Sequence, residues 1–323
     1  MSATPSPAAG RLRYFAISWF AVVMGIGGGA VAWNKAEKVF GIGLPVGMLL
    51  GYFALAAFAA IAVIYGIKAA RHPQAVKAEF SHPVRLSFFP AVSISLILLA
   101  VVFQETQPLF SRVLWSIGAP VQLLLAVHVI SAWIRHDIFQ VQHSNPAWFI
   151  PVVGNVLVPI AGVAYAPLAL SWFFFSIGIF FWLALFGIIF NRMIFHGMLP
   201  ERLMPTLFIL IAPPAVSFIA YLRMIGEVDA FAHILYHIAL FFTLLVLAQG
   251  RLFAKLGFYL SWWACSFPIA AVTVATLLYY ERLGGAFFAG LSIALLALLS
   301  GLLIMLVVRT ALGIAGGTIC VEE

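Results

Sequence analysis

The stretch LGFYLSWWACSFPIAAVTVATLLYY, residues 256–280, decides the class of fold to which this chain belongs. It contains no charged side chain, and about 20 apolar helical residues are enough to cross the hydrocarbon core of a bilayer. A proline follows Phe267 near the middle, and this proline cannot donate a hydrogen bond to the carbonyl of Ala264. The stretch therefore predicts a kinked membrane helix, in which Phe267 either packs against neighbouring helices or closes a passage between them.

The composition extends this prediction to the whole chain. Of the 323 residues, 64% are hydrophobic and 8% are charged, and the mean hydropathy is +1.12. A soluble globular chain carries about 25% charged residues, so we expect an integral membrane protein without a soluble domain of any size. The net charge of +7 is interpreted as topological, because no basic run or aromatic-basic module indicates binding of nucleic acid. With only two cysteines, no disulfide framework is expected.

Charged residues divide the chain into nine charge-free runs: 14–34, 39–67, 86–104, 113–134, 138–191, 203–222, 230–250, 256–280 and 283–308. Eight of these runs fit one helix each, and the 54 residues of 138–191 fit two helices joined by a turn at Tyr165-Ala166-Pro167. The sequence therefore predicts an all-α protein with ten transmembrane helices. The transmembrane domain is expected over 14–309, between an N-terminal tail at 1–13 and a C-terminal tail at 310–323.

Lysines and arginines predict the orientation of these helices. If the N-terminus, the C-terminus and the connections from even to odd helices lie on one side, that side holds 12 of the 17 basic residues. Basic residues accumulate on the cytoplasmic side of membrane proteins. Both termini and both tails are therefore predicted to be cytoplasmic.

Helix breakers are concentrated in the odd-numbered helices. Four of these helices carry proline well inside the span, and the first carries glycines instead; the breakers are Gly25, Gly27, Gly28, Gly29, Pro90, Pro159, Pro213, Pro214 and Pro268. The even-numbered helices have proline at their starts or not at all, with Pro120 as the exception. Irregular membrane helices are tolerated where they line a cavity, so the alternation favours five hairpins with the irregular helices inside. The alternative is that proline is simply common in membrane helices.

Two histidines are the strongest hint of a metal or haem. His233 and His237 are four residues apart and share one face of the eighth helix. No cysteine or carboxylate ligand stands beside them, so we interpret the pair as a polar patch near the interface or a hydrogen bond between helices, with a metal or haem site as the alternative. No cofactor and no metal is expected.

The placement of charge indicates what passes through the membrane. All ten acidic residues fall at span ends, in loops or in a tail, whereas proton-coupled carriers and cation channels use carboxylates inside the membrane. A neutral passage in a basic protein, lined by helix breaks with exposed N–H groups, favours anions. An enzyme is disfavoured, because no nucleophile-base pair or metal cluster has the required spacing.

Five pieces of sequence, in this order on ten helices, carry a resemblance to a known family: FAVVMGIGGGAVAW (20–33), SHPVRLSFFP (81–90), NPAWFIPVVGN (145–155), GEVD (226–229) and WWACSFPIA (262–270). The chain resembles, nearly from end to end, the tellurite-resistance/dicarboxylate transporter family. This family includes the TehA-type bacterial anion channels and the slow anion channels of plant guard cells.

The resemblance implies a fold of five helical hairpins in quasi-five-fold arrangement, a central pore in each protomer, a homotrimer and a place in the bacterial inner membrane. It also implies that Phe267, as the phenylalanine of the ninth helix, occludes the pore. The pore would be shaped at the helix breaks Gly25, Pro90, Pro159, Pro213 and Pro268. Val23 stands where members of this family often have a proline, which changes the expected shape of the first helix.

These observations together predict a passive anion channel gated by Phe267, whose partners are small inorganic or organic anions and the lipid bilayer. A carrier of C4-dicarboxylates or of other oxyanions, such as sulfite or tellurite, is the alternative. A haem or metal redox protein is the third possibility, and it rests on the two histidines alone.

Overall fold

The computed structural model describes residues 7–320, and these residues form α-helices and 3-10 helices joined by short connections. We number ten helical segments in chain order. The odd-numbered segments, here called inner segments, are Ile17–Phe40, Arg85–Phe103, Pro146–Gly162, Glu201–Ile225 and Leu260–Leu283. The even-numbered segments, here called outer helices, are Val46–Arg71, Pro108–Arg135, Leu168–Phe195, Ala230–Ala248 and Ala286–Ala315.

Nine of these segments, within the part of the chain that the structure describes, are long and apolar enough to cross a membrane. Segment 5 differs, because Pro146–Gly162 has fewer than 18 residues and consists of four short helical pieces. The chain is therefore a multi-pass, all-helical membrane protein, and the count of ten crossings stays a prediction.

The predicted alternation of irregular and regular helices is confirmed. Every inner segment begins with 3-10 helix and continues as α-helix, whereas every outer helix is one uninterrupted α-helix. Even Pro120 lies inside a continuous outer helix. In the most apolar stretch of each long inner segment 72–89% of the residues are buried, against 22–39% in the outer helices. The irregular segments thus form the interior and the regular helices form the wall.

The inner segments close a ring. Segment 1 packs against segment 3, segment 3 against segment 5, segment 5 against segment 7, and segment 7 against segment 9, which returns to segment 1. Each inner segment also packs against the outer helix that follows it in the chain, so that consecutive segments pair as hairpins.

Glycines allow the hairpins to pack closely. A Cβ atom at Gly51 in segment 2 would lie 2.6 Å from Val102 Cγ1, and one at Gly118 in segment 4 would lie 2.9 Å from Ile97 Cγ1. At Gly118 the backbone oxygen of Ser93, at 3.2 Å from the same position, adds an obstacle that cannot rotate away. Small residues at such positions are typical of helix interfaces in membranes, where packing drives association.

The helices extend beyond the charge-free runs that predicted them. Segment 1 continues through Lys35 and Lys38 to Phe40, and segment 10 continues to Ala315, beyond the expected boundary at 309. Long basic side chains can reach the membrane surface from such positions, so charge does not end a helix. Near the two ends of the described chain Arg11 lies against Gly317, so these two ends meet on one side of the molecule. Residues 1–6 and 321–323 of the expected tails lie outside the described residues.

Two glycine substitutions test this packing. We expect Gly118→Ala to lower the stability of the protein by about 1–3 kcal/mol, because the new methyl group collides with Ile97 and with the backbone of segment 3. Gly66→Ala is the matched control, since no atom lies within 4 Å of its Cβ position on the exposed face of segment 2. A methyl group there should leave stability unchanged or raise it by about 0.5–1 kcal/mol. Thermal unfolding in detergent, followed by size-exclusion chromatography, measures both, and equal melting temperatures would contradict the packing argument.

Candidate functional site

A cavity of about 50 Å³ lies at the centre of the ring. All five inner segments contribute to its wall, close to the point where each changes from 3-10 to α-helix. The lining residues are Ala21, Met24, Phe88, Ala91, Ile94, Phe149, Ile150, Val153, Gly154, Leu157, Ile209, Ala212, Pro213, Val216, Trp263, Ala264, Phe267 and Pro268.

In four of the five inner segments a proline lies at the start of an α-helix. Pro90 directly precedes the α-helix of segment 3, and Pro159, Pro213 and Pro268 each fall within the first three residues of an α-helix. Proline is tolerated in a first helical turn because its missing N–H would have no partner there. Pro213 and Pro268 line the cavity, whereas Pro90 and Pro159 lie beside lining residues.

Gly25 does not mark a break, and that part of the prediction is wrong. The α-helix of segment 1 is continuous from Phe20 to Phe40, and its 3-10 part ends at Trp19. Gly25 instead allows segments 1 and 9 to touch, because a Cβ there would overlap Ser266 Oγ and lie 2.9 Å from the ring of Trp263. Val23, which replaces the expected proline, is fully buried inside the same continuous helix.

Buried polar side chains bond to the backbone near the changes of helix type in four inner segments. Asn155 donates to Val152 at 2.8 Å, Ser217 to Pro213 at 2.6 Å and Ser266 to Trp263 at 2.7 Å, while Ser93 shares its proton between the carbonyl oxygen of Pro90 at 2.9 Å and Gln122 Oε1 at 2.7 Å. The bonds to backbone carbonyls are local in sequence. Our sequence analysis assigned no role to these side chains, although their position three or four residues after the acceptor is a signal that could have found them.

Gln122 of segment 4 ties two inner segments together from outside the ring. Its fully buried side chain accepts a hydrogen bond from Ser93 Oγ at 2.7 Å and donates one to the carbonyl oxygen of Pro151 at 2.8 Å. Gly154 makes room for this amide, since a Cβ there would lie 2.6 Å from Gln122 Nε2. The outer helix therefore fixes segments 3 and 5 at the level of the cavity.

Phe267 stands in the wall of the cavity with its side chain partly exposed. On one side its ring faces segment 1, where a Cβ at Gly28 would lie 3.3 Å from Phe267 Cδ2. Pro268 follows it in the wall, and the backbone before it is held by the bond from Ser266 to Trp263. The aromatic ring thus lies at a change of helix type and packs against Gly28, which has no side chain.

The two histidines of segment 8 lie away from this cavity. His233 Nδ1 is 2.8 Å from the hydroxyl of Tyr279 in segment 9, and His237 Nδ1 is 2.8 Å from the carbonyl oxygen of His233. The predicted hydrogen bond between helices is confirmed for His233. No group of three or more His, Cys, Asp or Glu residues suited to a metal ion occurs in the described part of the chain.

Charged side chains are gathered at the two ends of the ring. At one end Lys35 pairs with Glu281 at 2.6 Å, and Lys38 pairs with Glu105. At the opposite end the buried pair of Lys68 and Glu79 lies 2.9 Å apart, with Tyr65 donating to the same carboxylate oxygen. All eighteen residues that line the cavity are uncharged.

The motif GEVD forms the turn before segment 8. Gly226 adopts a left-handed conformation, with φ of 89°, that ends segment 7, and Asp229 caps segment 8 by accepting from the N–H of Ala232 at 2.9 Å. Tyr221 donates to the other carboxylate oxygen at 2.6 Å, and these two hydrogen bonds hold the pKa of Asp229 below its ordinary value.

A closed ring of five broken segments around an uncharged cavity, inside a wall of regular helices, defines a membrane transport protein. Comparison with known proteins gives the family. A family model described as "Voltage-dependent anion channel", SLAC1, matches residues 14–311. The chain belongs to this SLAC1 family, which confirms the resemblance seen in the sequence.

Several relatives are named as channels or transporters. The chain is 27% identical over 271 residues to the tellurite resistance protein TehA homolog of Haemophilus influenzae, covering 81% of this chain and 80% of the relative. It is 27% identical over 297 residues to an uncharacterized transporter of Methanocaldococcus jannaschii, covering 84% and 87% of the two chains. It is 28% identical over 282 residues to the S-type anion channel SLAH2 of Arabidopsis thaliana, covering 85% of this chain but only 54% of that channel. The chain thus spans about half the length of this plant channel.

Replacing Gln122 tests the polar link between the outer and inner helices. We expect Gln122→Leu to destabilise the protein by about 1–3 kcal/mol, because the Pro151 carbonyl loses its bond from Gln122 and Ser93 loses an acceptor. Gln107→Leu is the control, since its hydrogen bond to Tyr52 is exposed. If both variants melt at the temperature of the parent protein in detergent, the link does not hold the ring.

Proposed function

We propose that the protein is a passive anion channel, with one pore in each protomer that runs through the ring of inner segments and is occluded by Phe267. The observation that carries this proposal is the central cavity, to which all five inner segments contribute and whose wall includes the ring of Phe267. The names of the plant relatives, which are S-type anion channels, support a channel rather than an enzyme.

The electrostatics of the passage support anions as the solute. No carboxylate lines the cavity, so nothing there compensates the charge of a cation. Every inner segment starts at the same end, which the charge count assigns to the cytoplasm, and the positive ends of the helix dipoles point towards that side. The 3-10 parts of these segments weaken the dipole argument only locally, because each is followed by α-helix.

The lining of the cavity supports a closed state. It has no charged side chain, and its apolar groups do not replace the water around an ion. A purely apolar constriction excludes ions by remaining dry, which is one of the ways in which channels close. Removal of the Phe267 ring is the change in the wall that widens this constriction most directly, because the ring is large and partly exposed to the cavity.

Phenylalanine substitutions test the occlusion. We expect Phe267→Ala to raise anion current in planar bilayers or oocytes well above that of the parent, and Phe267→Leu to give a smaller rise because it leaves more of the side chain in place. Phe241→Ala is the control, since this phenylalanine is 60% exposed on an outer helix. Equal currents in all three variants would show that Phe267 is not the gate.

A carrier of C4-dicarboxylates or of oxyanions such as sulfite or tellurite is the second candidate. It is favoured by the printed names of two relatives, one a tellurite resistance protein and the other a transporter. The same recordings separate the two candidates. Unitary currents far above ~10³ ions per second are incompatible with alternating access, whose large conformational steps take microseconds to seconds. Reversal potentials in mixtures of nitrate, chloride and malate then rank the anions.

We further propose a homotrimer in the bacterial inner membrane, with both termini and the two tails in the cytoplasm. The outer helices support association, because they expose many large apolar side chains that either lipid or a neighbouring protomer covers. We expect the mass of the protein in a mild detergent to be three times 35.2 kDa after correction for bound detergent. Light scattering coupled to size-exclusion chromatography measures it, and a monodisperse monomer or dimer contradicts the trimer.

A further inference from the structure

The end of the ring at which the inner segments finish is electrostatically unfavourable for an anion. An α-helix carries about half a negative charge at its C-terminal end, and the inner segments all point the same way. The charge count assigns this end to the outside of the cell. Three basic residues lie in the last turns of these segments: Lys38, Arg223 and Arg282.

Two lysines at this end are neutralised by acids. Lys35 pairs with Glu281 and thereby joins segment 1 to segment 9, and Lys38 pairs with Glu105 and joins segment 1 to the end of segment 3. These two ion pairs link neighbouring segments of the ring. They add little net positive charge to the mouth, since each is matched by a carboxylate.

Arg223 is bound differently. Its Nε donates to the carbonyl oxygen of Ile160 at 3.2 Å and its Nη2 donates to Gln104 Oε1 at 3.4 Å, while Gln104 Nε2 donates to the carbonyl oxygen of Ala161 at 3.3 Å. None of the ion pairs among residues 7–320 includes Arg223. The nearby carboxylate of Asp229 is engaged by Tyr221 and by the N–H of Ala232.

These bonds hold the guanidinium over the end of segment 5. Segments 3 and 7 are not neighbours in the ring, and segment 5 stands between them. A side chain of segment 7 that reaches both Gln104 of segment 3 and Ile160 of segment 5 therefore passes over the end of the short segment 5. Its hydrogen-bond acceptors are neutral, and the residue is exposed.

We infer that Arg223 is a specificity-determining residue of the passage, which concentrates small anions at this mouth and repels cations. The inference rests on the proposed function. It names the residue that makes the passage favour anions over cations. Gln104 positions the guanidinium, and the carbonyl of Ile160 anchors it, so a partially negative mouth becomes attractive to chloride, nitrate or a carboxylate.

Arginine substitutions in the Phe267→Ala background test this role. We expect Arg223→Gln to reduce anion conductance about two- to five-fold at about 0.1 M salt, because one unit charge is removed from a solvated site. The reduction should fade at about 1 M salt, where the Debye length falls from about 10 Å to about 3 Å. The reversal potential in a salt gradient should also shift towards that of the cation. Arg223→Lys should stay close to the background, since it keeps the charge.

Arg112→Gln is the matched control, because Arg112 is an exposed arginine assigned to the same side but lies on an outer helix. If Arg223→Gln and Arg112→Gln behave alike at low salt, the inference is wrong while the channel stands. If Phe267→Ala itself carries no anion current, although it elutes as a folded protein, the proposed function fails and the inference fails with it. A loss in Arg223→Gln that does not depend on salt would assign Arg223 a purely structural role and so overturn the inference.

Discussion

The structure depends on one constraint: within a membrane, a backbone that leaves α-helical geometry must find hydrogen bonds inside the protein. Each inner segment leaves that geometry once or more. Near the change of helix type in segments 3, 5, 7 and 9, a buried hydroxyl or amide donates to a backbone carbonyl oxygen of the same segment. Proline also reduces the number of backbone groups that need a partner, because it supplies no N–H. The donors of serine and asparagine and the missing N–H of proline therefore lower the free-energy cost of a broken helix in an apolar environment.

This constraint explains why the broken segments are inside. A break that faces lipid would expose carbonyl oxygens to hydrocarbon, whereas in the ring their partners come from the same segment, as Ser217 does for Pro213, or from a neighbouring helix, as Gln122 does for Pro151. The outer helices carry no break and need no such partner. They cover the ring and, at Gln122, reach into it. The hydroxyls of Ser93, Ser217 and Ser266 bond to the backbone beside the cavity, and the cavity itself has an apolar wall.

Sequence reasoning predicted the class, the alternation and the helix breaks near Pro90, Pro159, Pro213 and Pro268, because a proline inside an apolar run removes a backbone donor. Pro120 shows that a proline can also lie in a continuous membrane helix. Sequence reasoning was wrong at Gly25, since the α-helix of segment 1 is continuous from Phe20 to Phe40 and the change of helix type lies between Trp19 and Phe20, where neither proline nor glycine marks it. It missed that segment 5 is a chain of four short helical pieces, because Pro151, Gly154 and Pro159 are compatible with a kinked helix as well as with a broken one. The hydrogen bond between Arg223 and Gln104 could not be predicted from the sequence, because 119 residues separate the two.

The position of Phe267 follows from the same constraint and not from a separate requirement for a gate. The change to α-helix occurs at Ser266, whose hydroxyl is used by the carbonyl of Trp263, and Pro268 frees the carbonyl of Ala264 from any local donor. The residue between them points into the cavity, where an aromatic ring finds room only because segment 1 has Gly28 at the point of contact. Phe267 therefore lies in the wall of the cavity because the helix type changes beside it and because Gly28 leaves space for its ring.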